Sequence, residues 1–203
     1  MRSLHVLVVL GLTLLTFALA AADHATTNRL TCNSVTPLKT LDFSKISGEW
    51  YGVKTLQFLD GHPFRPENDP TPHVCIHGHT HDITDKGFKV TMNTVVPGRE
   101  VAKEEVTLST IGDEQGQFEF LVLASEPNKY LIYLICLPPN AAGERLPSRA
   151  NLLTREHSGQ AAITSEEAKA LEHSFGEKFG LSGSTVKPIE FNHACWPTKT
   201  DKQ

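Results

Sequence analysis

From Trp50 onward the chain alternates short apolar segments with turn residues, and no helical periodicity separates them before residue 164. Seven such segments predict β-strands, at residues 50–59, 73–84, 88–96, 101–111, 118–124, 130–137 and 150–156. Consecutive strands with short connections favour an all-β, up-and-down antiparallel sheet that closes on itself, because closure removes the unpaired edges. The pattern leaves room for an eighth strand between Val101 and Phe120.

The period changes after the last of these segments. Residues 164–167 read Thr-Ser-Glu-Glu, a capping box that marks a helix start. The apolar residues that follow at helical spacing are Ala168, Leu171, Phe175 and Phe179. We therefore predict one C-terminal helix at about 165–179, with its apolar stripe against the outside of the barrel, and then an extended tail.

The N-terminus has the composition of a secretory signal peptide. Arg2 precedes an apolar run at residues 6–19, and small-residue cleavage sites end it. The alternative is an uncleaved anchor, but the run is short for a span of about 20 residues. We expect residues 1–22 to be removed, and residues 23–203 to form one secreted, extracellular domain with its barrel at about 46–157 and no stable membrane insertion.

Composition narrows the function further. A formal net charge of −4 without clustered Lys and Arg argues against a nucleic-acid partner. The four cysteines are Cys32, Cys75, Cys136 and Cys195. An even count in a secreted chain predicts two disulfides with three open connectivities, and the wide spacing excludes C-x-x-C sites. Nothing in the sequence indicates the oligomeric state.

Four stretches, in this order, give the chain a family resemblance. They are Gly48-Glu49-Trp50-Tyr51, residues 122–130, Leu152-Leu153-Thr154-Arg155, and residues 190–195. Together they resemble the motifs of the lipocalins, and within that family the insect bilin-binding and apolipoprotein D-like group. Pro127 departs from the Tyr that is usual in the second motif.

The resemblance implies an eight-stranded calyx that binds and transports a small hydrophobic ligand. It implies that Gly48, Trp50 and Arg155 close one end, with the Arg155 guanidinium on the Trp50 ring. It also implies the disulfides Cys32–Cys136 and Cys75–Cys195. Bilins, haem, retinoids, sterols and fatty acids all remain open as ligands, and no cofactor is expected to be obligatory.

Strand alternation then suggests which residues point into the calyx. If Cys75 and Cys136 bond outside the barrel, the inward residues are Val74, Ile76, Gly78, Thr80, Leu131, Tyr133 and Ile135. Phe64, in the Pro-rich loop after the first strand, is a further candidate for ligand contact. The alternatives are a barrel filled by its own side chains and a mobile surface loop.

A histidine row on the second strand raises the question of metal chemistry. His77, His79 and His81 share one strand face and are weak candidates for Zn²⁺ or Cu²⁺. Gly78-His79-Thr80-His81 resembles a metallophosphoesterase motif, and residues 77–82 approach a metallo-β-lactamase motif. The partner motifs of both families are missing. We expect an outward, solvated row and no enzyme, with a metal-dependent enzyme or a lipocalin-fold inhibitor acting through its surface as alternatives.

Overall fold

A computed structural model of the protein describes residues 29–39, 42–96, 102–109, 118–156, 166, 173, 175, 177, 179 and 186–195. The predicted signal peptide lies outside the described residues, and so does most of the predicted helix at about 165–179. Within the described residues, no helix is long and apolar enough to cross a membrane.

Within the part of the chain that the structure describes, nine β-strands form one sheet. They are β1 (Gly48–Leu59), β2 (His62–Phe64), β3 (Cys75–His81), β4 (Gly87–Val95), β5 (Ala102–Ser109), β6 (Glu119–Glu126), β7 (Tyr130–Cys136), β8 (Pro147–Thr154) and β9 (Ile189–Glu190). The seven predicted segments correspond to the seven long strands. Because β1 pairs with both β3 and β8, these seven strands form a ring.

The contact between β5 and β6 differs from the uniformly antiparallel prediction. These two strands meet at a single residue pair, Ser109 with Glu119, and run parallel there, whereas the other strand pairings are antiparallel. Residues 110–117, which join these two strands in sequence, fall outside the described residues, so the eighth strand stays a prediction.

Both faces of the barrel wall carry packed side chains at β6, β7 and β8. Leu131 and Tyr133 of β7 belong to a buried apolar cluster inside the barrel, the inner cluster. Ile132 and Leu134 belong to a second buried apolar cluster on the outside of the wall, the outer cluster. This two-sided burial explains why the β7 sequence is almost continuously apolar. Phe175 and Phe179 are buried in the outer cluster, where Phe179 packs edge-on against Phe58 of β1.

The C-terminal tail completes the wall between β1 and β3. Those strands pair at residues 48–51 of β1, and β9 pairs with Lys54 and Thr55 farther along the same strand. The Phe191 amide donates to the Val53 carbonyl, and the Asn192 amide donates to the Val74 carbonyl. The tail therefore bridges the gap where β3 separates from β1.

Two disulfides join the chain ends to the barrel. Cys32 bonds to Cys136, and Cys75 bonds to Cys195, with sequence separations of 104 and 120 residues. These are the pairings that the family resemblance implies. The first attaches the N-terminal arm to the end of β7, and the second attaches the tail to the start of β3.

Candidate functional site

The barrel encloses a cavity of about 240 Å³. Its apolar lining includes Ile46, Trp50, Phe88, Leu108, Phe120 and Leu131. These side chains come from β1, β4, β5, β6 and β7 and from the short 3-10 helix before β1, so the cavity is the interior of the ring. The interior is therefore only partly filled, although small barrels are often packed solid.

Six residues expected inside from strand alternation line this cavity: Ile76, Gly78, Thr80, Leu131, Tyr133 and Ile135. Val74 does not, because it ends a short 3-10 helix (Thr71–His73) and precedes β3, so the strand alternation does not extend to it. Phe64 is also outside the lining. It lies in β2, which pairs with the far end of β1, and its side chain is exposed.

The cavity-lining residues of β4 and β5 were not predicted from the sequence. The inward residues pair directly across these strands: Phe88 with Leu108, Val90 with Val106, and Met92 with Glu104. Their period-2 spacing is visible in the sequence, but neither strand contains a cysteine to show which face is outside. The sequence alone therefore did not show which residues of β4 and β5 face inward.

The closed end is built around Trp50. The Arg155 guanidinium carbon lies 3.7 Å from the centre of the Trp50 ring. Arg155 also donates to the backbone carbonyls of Lys45, Glu49 and Pro127 at 2.9–3.0 Å. The Trp50 indole donates to the Ile46 carbonyl at 2.7 Å, so its polar atom is satisfied inside the core.

Gly48 permits this arrangement. It has a φ of +95°, and a Cβ at this position would lie 3.3 Å from an Arg155 nitrogen. Other residues rarely adopt this backbone conformation, and the added carbon would crowd the guanidinium. Gly48, Trp50 and Arg155 thus meet at the end of the barrel that the motif resemblance indicates.

A buried polar pair lies on the β7–β8 wall. The Asn151 side-chain amide donates to the Tyr133 hydroxyl at 2.9 Å, and both residues are buried. Burial raises the pKa of the Tyr133 hydroxyl, while the hydrogen bond from Asn151 and the charge of Arg149 act in the opposite direction. Tyr133 therefore stays neutral and hydrogen-bonded beside the cavity.

Two charged side chains line the open end of the cavity. Arg149 of β8 pairs with Ile135 of β7, one inward position beyond Tyr133. Glu104 of β5 lies across from Met92 of β4. Both side chains are exposed. The cavity is thus apolar at its closed end and carries one charge of each sign at its mouth.

The histidine row faces away from the cavity. His77, His79 and His81 alternate with the cavity-lining residues of β3. Glu49 of β1 lies between two of them, with one carboxylate oxygen on His77 and the other on His79. The His77 ring also stacks on Tyr51 at 4.8 Å between ring centres.

Among the described residues, no group of three or more His, Cys, Asp or Glu side chains is placed to hold a metal ion. The contact with Glu49 was not predicted, because it depends on the β1–β3 register that sets Glu49 opposite His79.

Solved structures with the same architecture identify the fold. The structure of lipocalin 12 from rat epididymis has a TM-score of 0.58 and 14% sequence identity, covering 85% of this chain and 96% of that chain. The structure of siderocalin Q83 has a TM-score of 0.53 and 16% identity, covering 75% and 92%. The chain has a lipocalin fold.

Lobster apocrustacyanin A1 shares this lipocalin fold, with a TM-score of 0.50, 13% identity, and coverage of 80% and 84%. No protein-family model and no curated protein matches the sequence. At such low identities the likeness concerns the lipocalin fold, and the ligand must be argued from the cavity itself.

Proposed function

We propose that this protein is a carrier that binds a small hydrophobic molecule reversibly inside the barrel. The observation that carries the proposal is the partly empty interior, which is lined mainly by apolar and aromatic side chains and closed at one end by Trp50 and Arg155. Moving an apolar ligand from water into this lining is favourable by about 25 cal/mol per Å² before the costs of association.

The size of the cavity restricts the ligand. A volume of about 240 Å³ is below the roughly 300–1,000 Å³ typical of small-molecule pockets. A compact molecule, such as a short lipid or a small aromatic compound, therefore fits better than a bilin or haem. The open interior favours a carrier over a protein that acts only through its surface.

The compartment and the subgroup belong to the same proposal. The N-terminal sequence supports secretion, and two disulfides suit an oxidising, extracellular environment. The order of the motifs and the disulfide pairing support a place near the insect bilin-binding and apolipoprotein D-like lipocalins. The barrel is not the α/β sandwich that the metallophosphoesterase alternative requires.

A cavity-filling variant tests the proposal. Val106 of β5 lines the cavity, whereas the next residue, Thr107, is exposed on the other face of the strand. We expect the neutral fluorophore N-phenyl-1-naphthylamine to bind the wild type, and Val106→Phe to weaken binding at least about tenfold because the added ring occupies the cavity. Thr107→Phe is the matched control and should bind like the wild type.

Circular dichroism and thermal unfolding establish that both variants are folded before the titrations are compared. Failure of the wild type to bind this and other neutral apolar probes would contradict the carrier function. Equal affinity of Val106→Phe and the wild type would show that the probe binds elsewhere.

A further inference from the structure

The side chain of Arg149 places a positive charge at the mouth of the cavity. No ion pair or hydrogen bond links the Arg149 side chain to another described residue. Arg145, also on the β7–β8 side of the barrel, differs in this respect, because it donates to the Leu137 carbonyl and approaches Glu119 at 3.6 Å. Arg149 is the one Lys or Arg among the described residues that line the cavity.

The strand register gives Arg149 its direction. Its inward neighbours on β8 are Asn151 and Leu153, which pair across to Tyr133 and Leu131 of β7. The β7–β8 wall therefore changes from apolar at Leu131 and Leu153, through the hydrogen-bonded Tyr133 and Asn151, to cationic at Arg149. A ligand with an apolar body in the closed end would place its outer end beside this guanidinium.

The opposite wall of the cavity carries a negative charge, at Glu104 of β5. It is the single acidic side chain in the described lining, and no ion pair connects it with Arg149. A second anion beside Glu104 would be repelled, so a negatively charged group is directed to the β8 side of the mouth. A guanidinium binds a carboxylate through two parallel hydrogen bonds. A hydroxyl or an amine does not have the two acceptor oxygens that this pair of hydrogen bonds requires.

We infer that the ligand is a compact apolar molecule with one carboxylate group, which Arg149 binds at the mouth of the barrel. This inference rests on the proposed carrier function and adds the ligand class. Arg149 acts as a specificity-determining residue: the apolar cavity supplies most of the affinity, and the guanidinium selects the acid from alcohols and amines of the same length.

Three ligands of equal chain length separate these contributions. Decanoic acid, decanol and decylamine compete against N-phenyl-1-naphthylamine at pH 7.5 on the folded protein. We expect the wild type to prefer decanoate over decanol by about 3- to 10-fold, the size of an ion pair that is partly shielded from water. Decylamine should bind less tightly than decanoate.

Variants assign the preference to the two charges. Arg149→Gln should remove the preference for decanoate without weakening decanol, and Arg149→Lys should keep part of it because the charge remains. Glu104→Gln should tighten decanoate binding by about twofold. Lys103→Gln, on the exposed outer side of β5, controls for a general loss of positive charge and should change none of the three affinities.

Two results would overturn the inference and leave the carrier function standing. One is equal wild-type affinity for decanoate and decanol. The other is an Arg149→Gln variant that loses decanol and decanoate affinity to the same extent, which would indicate a structural effect. If neither the fluorophore nor any of the three ligands binds the wild type, the carrier function fails and the inference fails with it.

Discussion

At the scale of single residues, Arg155 combines more interactions than its sequence motif suggests. Its guanidinium covers the Trp50 ring and donates to three backbone carbonyls from separate segments of the chain. Burial lowers the pKa of this side chain, while Glu49 raises it. Because the three acceptors lie in different directions, a single ammonium group does not replace the guanidinium.

We expect Arg155→Ala to lower the free energy of unfolding by about 2–4 kcal/mol, because it removes charged hydrogen bonds and a cation–π contact. Arg155→Lys should recover less than half of that loss. Urea unfolding followed by tryptophan fluorescence measures both values. Lys86→Ala, at an exposed turn residue, is the control and should stay within about 0.5 kcal/mol of the wild type. Equal stability of Arg155→Lys and the wild type would contradict this account.

Tyr133 gives the molecule a pH dependence at the alkaline end. Its pKa in the folded protein is raised from the usual value of 10.0, primarily by burial. Above pH 10 the unfolded chain therefore releases this proton before the folded chain does. Stability falls as pH rises through that range, by up to about 1.4 kcal/mol per pH unit for this group.

Tyr133→Phe should be less stable than the wild type at pH 7.5, because Asn151 loses its hydrogen-bond partner in a buried site. The difference should shrink between pH 10 and pH 11, since the variant no longer has this hydroxyl to ionise. Urea unfolding across pH 7.5–11 checks the prediction. Stability profiles that stay parallel over the whole range would exclude it.

At the scale of elements, the tail strand β9 is held in the wall from two sides. Its neighbours Phe191 and Asn192 bond to the backbones of β1 and of the segment before β3, and the Cys75–Cys195 disulfide follows three residues later. The Phe191 ring lies so near Gly52 that a Cβ there would approach it to 2.9 Å. The wall between β1 and β3 thus depends on residues far away in sequence.

We expect replacement of Cys75 and Cys195 by Ser to lower the free energy of unfolding by about 2–5 kcal/mol, the usual cost of losing a native disulfide. The amides of Phe191 and Asn192 should then exchange with solvent much faster. Hydrogen exchange and urea unfolding measure the two effects. The Cys32/Cys136 double variant is the matched control, since it should lose stability but keep these two amides protected.

The elements also show what sequence could predict. Seven strands follow from alternation and turn residues, and the cysteines identified the inward face of β3 and β7. Val74 was placed inside by extending the β3 alternation one residue too far, and the β4 and β5 lining was missed because no outward anchor fixed its face. Glu104 and Arg149 were not predicted to line the cavity, because a charged residue on a strand is expected to face solvent. The strand pairing is what places these two residues at the mouth.

At the scale of the whole molecule, the inner cavity and the outer histidine row lie on opposite faces of the same strand, β3. Ile76, Gly78 and Thr80 face inward, while His77 and His79 face Glu49 on the outside. Substitutions on one face should therefore change the other very little, provided that the wall stays intact.

We expect the His77→Ala/His79→Ala double variant to bind N-phenyl-1-naphthylamine within about twofold of the wild type, because the two histidines are not among the residues that line the cavity. Fluorescence titration in the presence and absence of Zn²⁺ checks this. A zinc-dependent change in probe affinity that the double variant abolishes would show that the row communicates with the cavity.

The position of β9 also has a consequence for how the protein is made. Strand β1 emerges early during synthesis, but its partners at Lys54 and Thr55 are β8 on one side and β9, near residue 190, on the other. β1 and β3 pair directly at residues 48–51 of β1, but the part of the wall that β9 forms beside Lys54 and Thr55 cannot be completed until that late segment has left the ribosome. Contacts this distant in sequence slow folding. The wall beside residues 54–55 of β1 therefore lacks its last strand until synthesis is nearly complete.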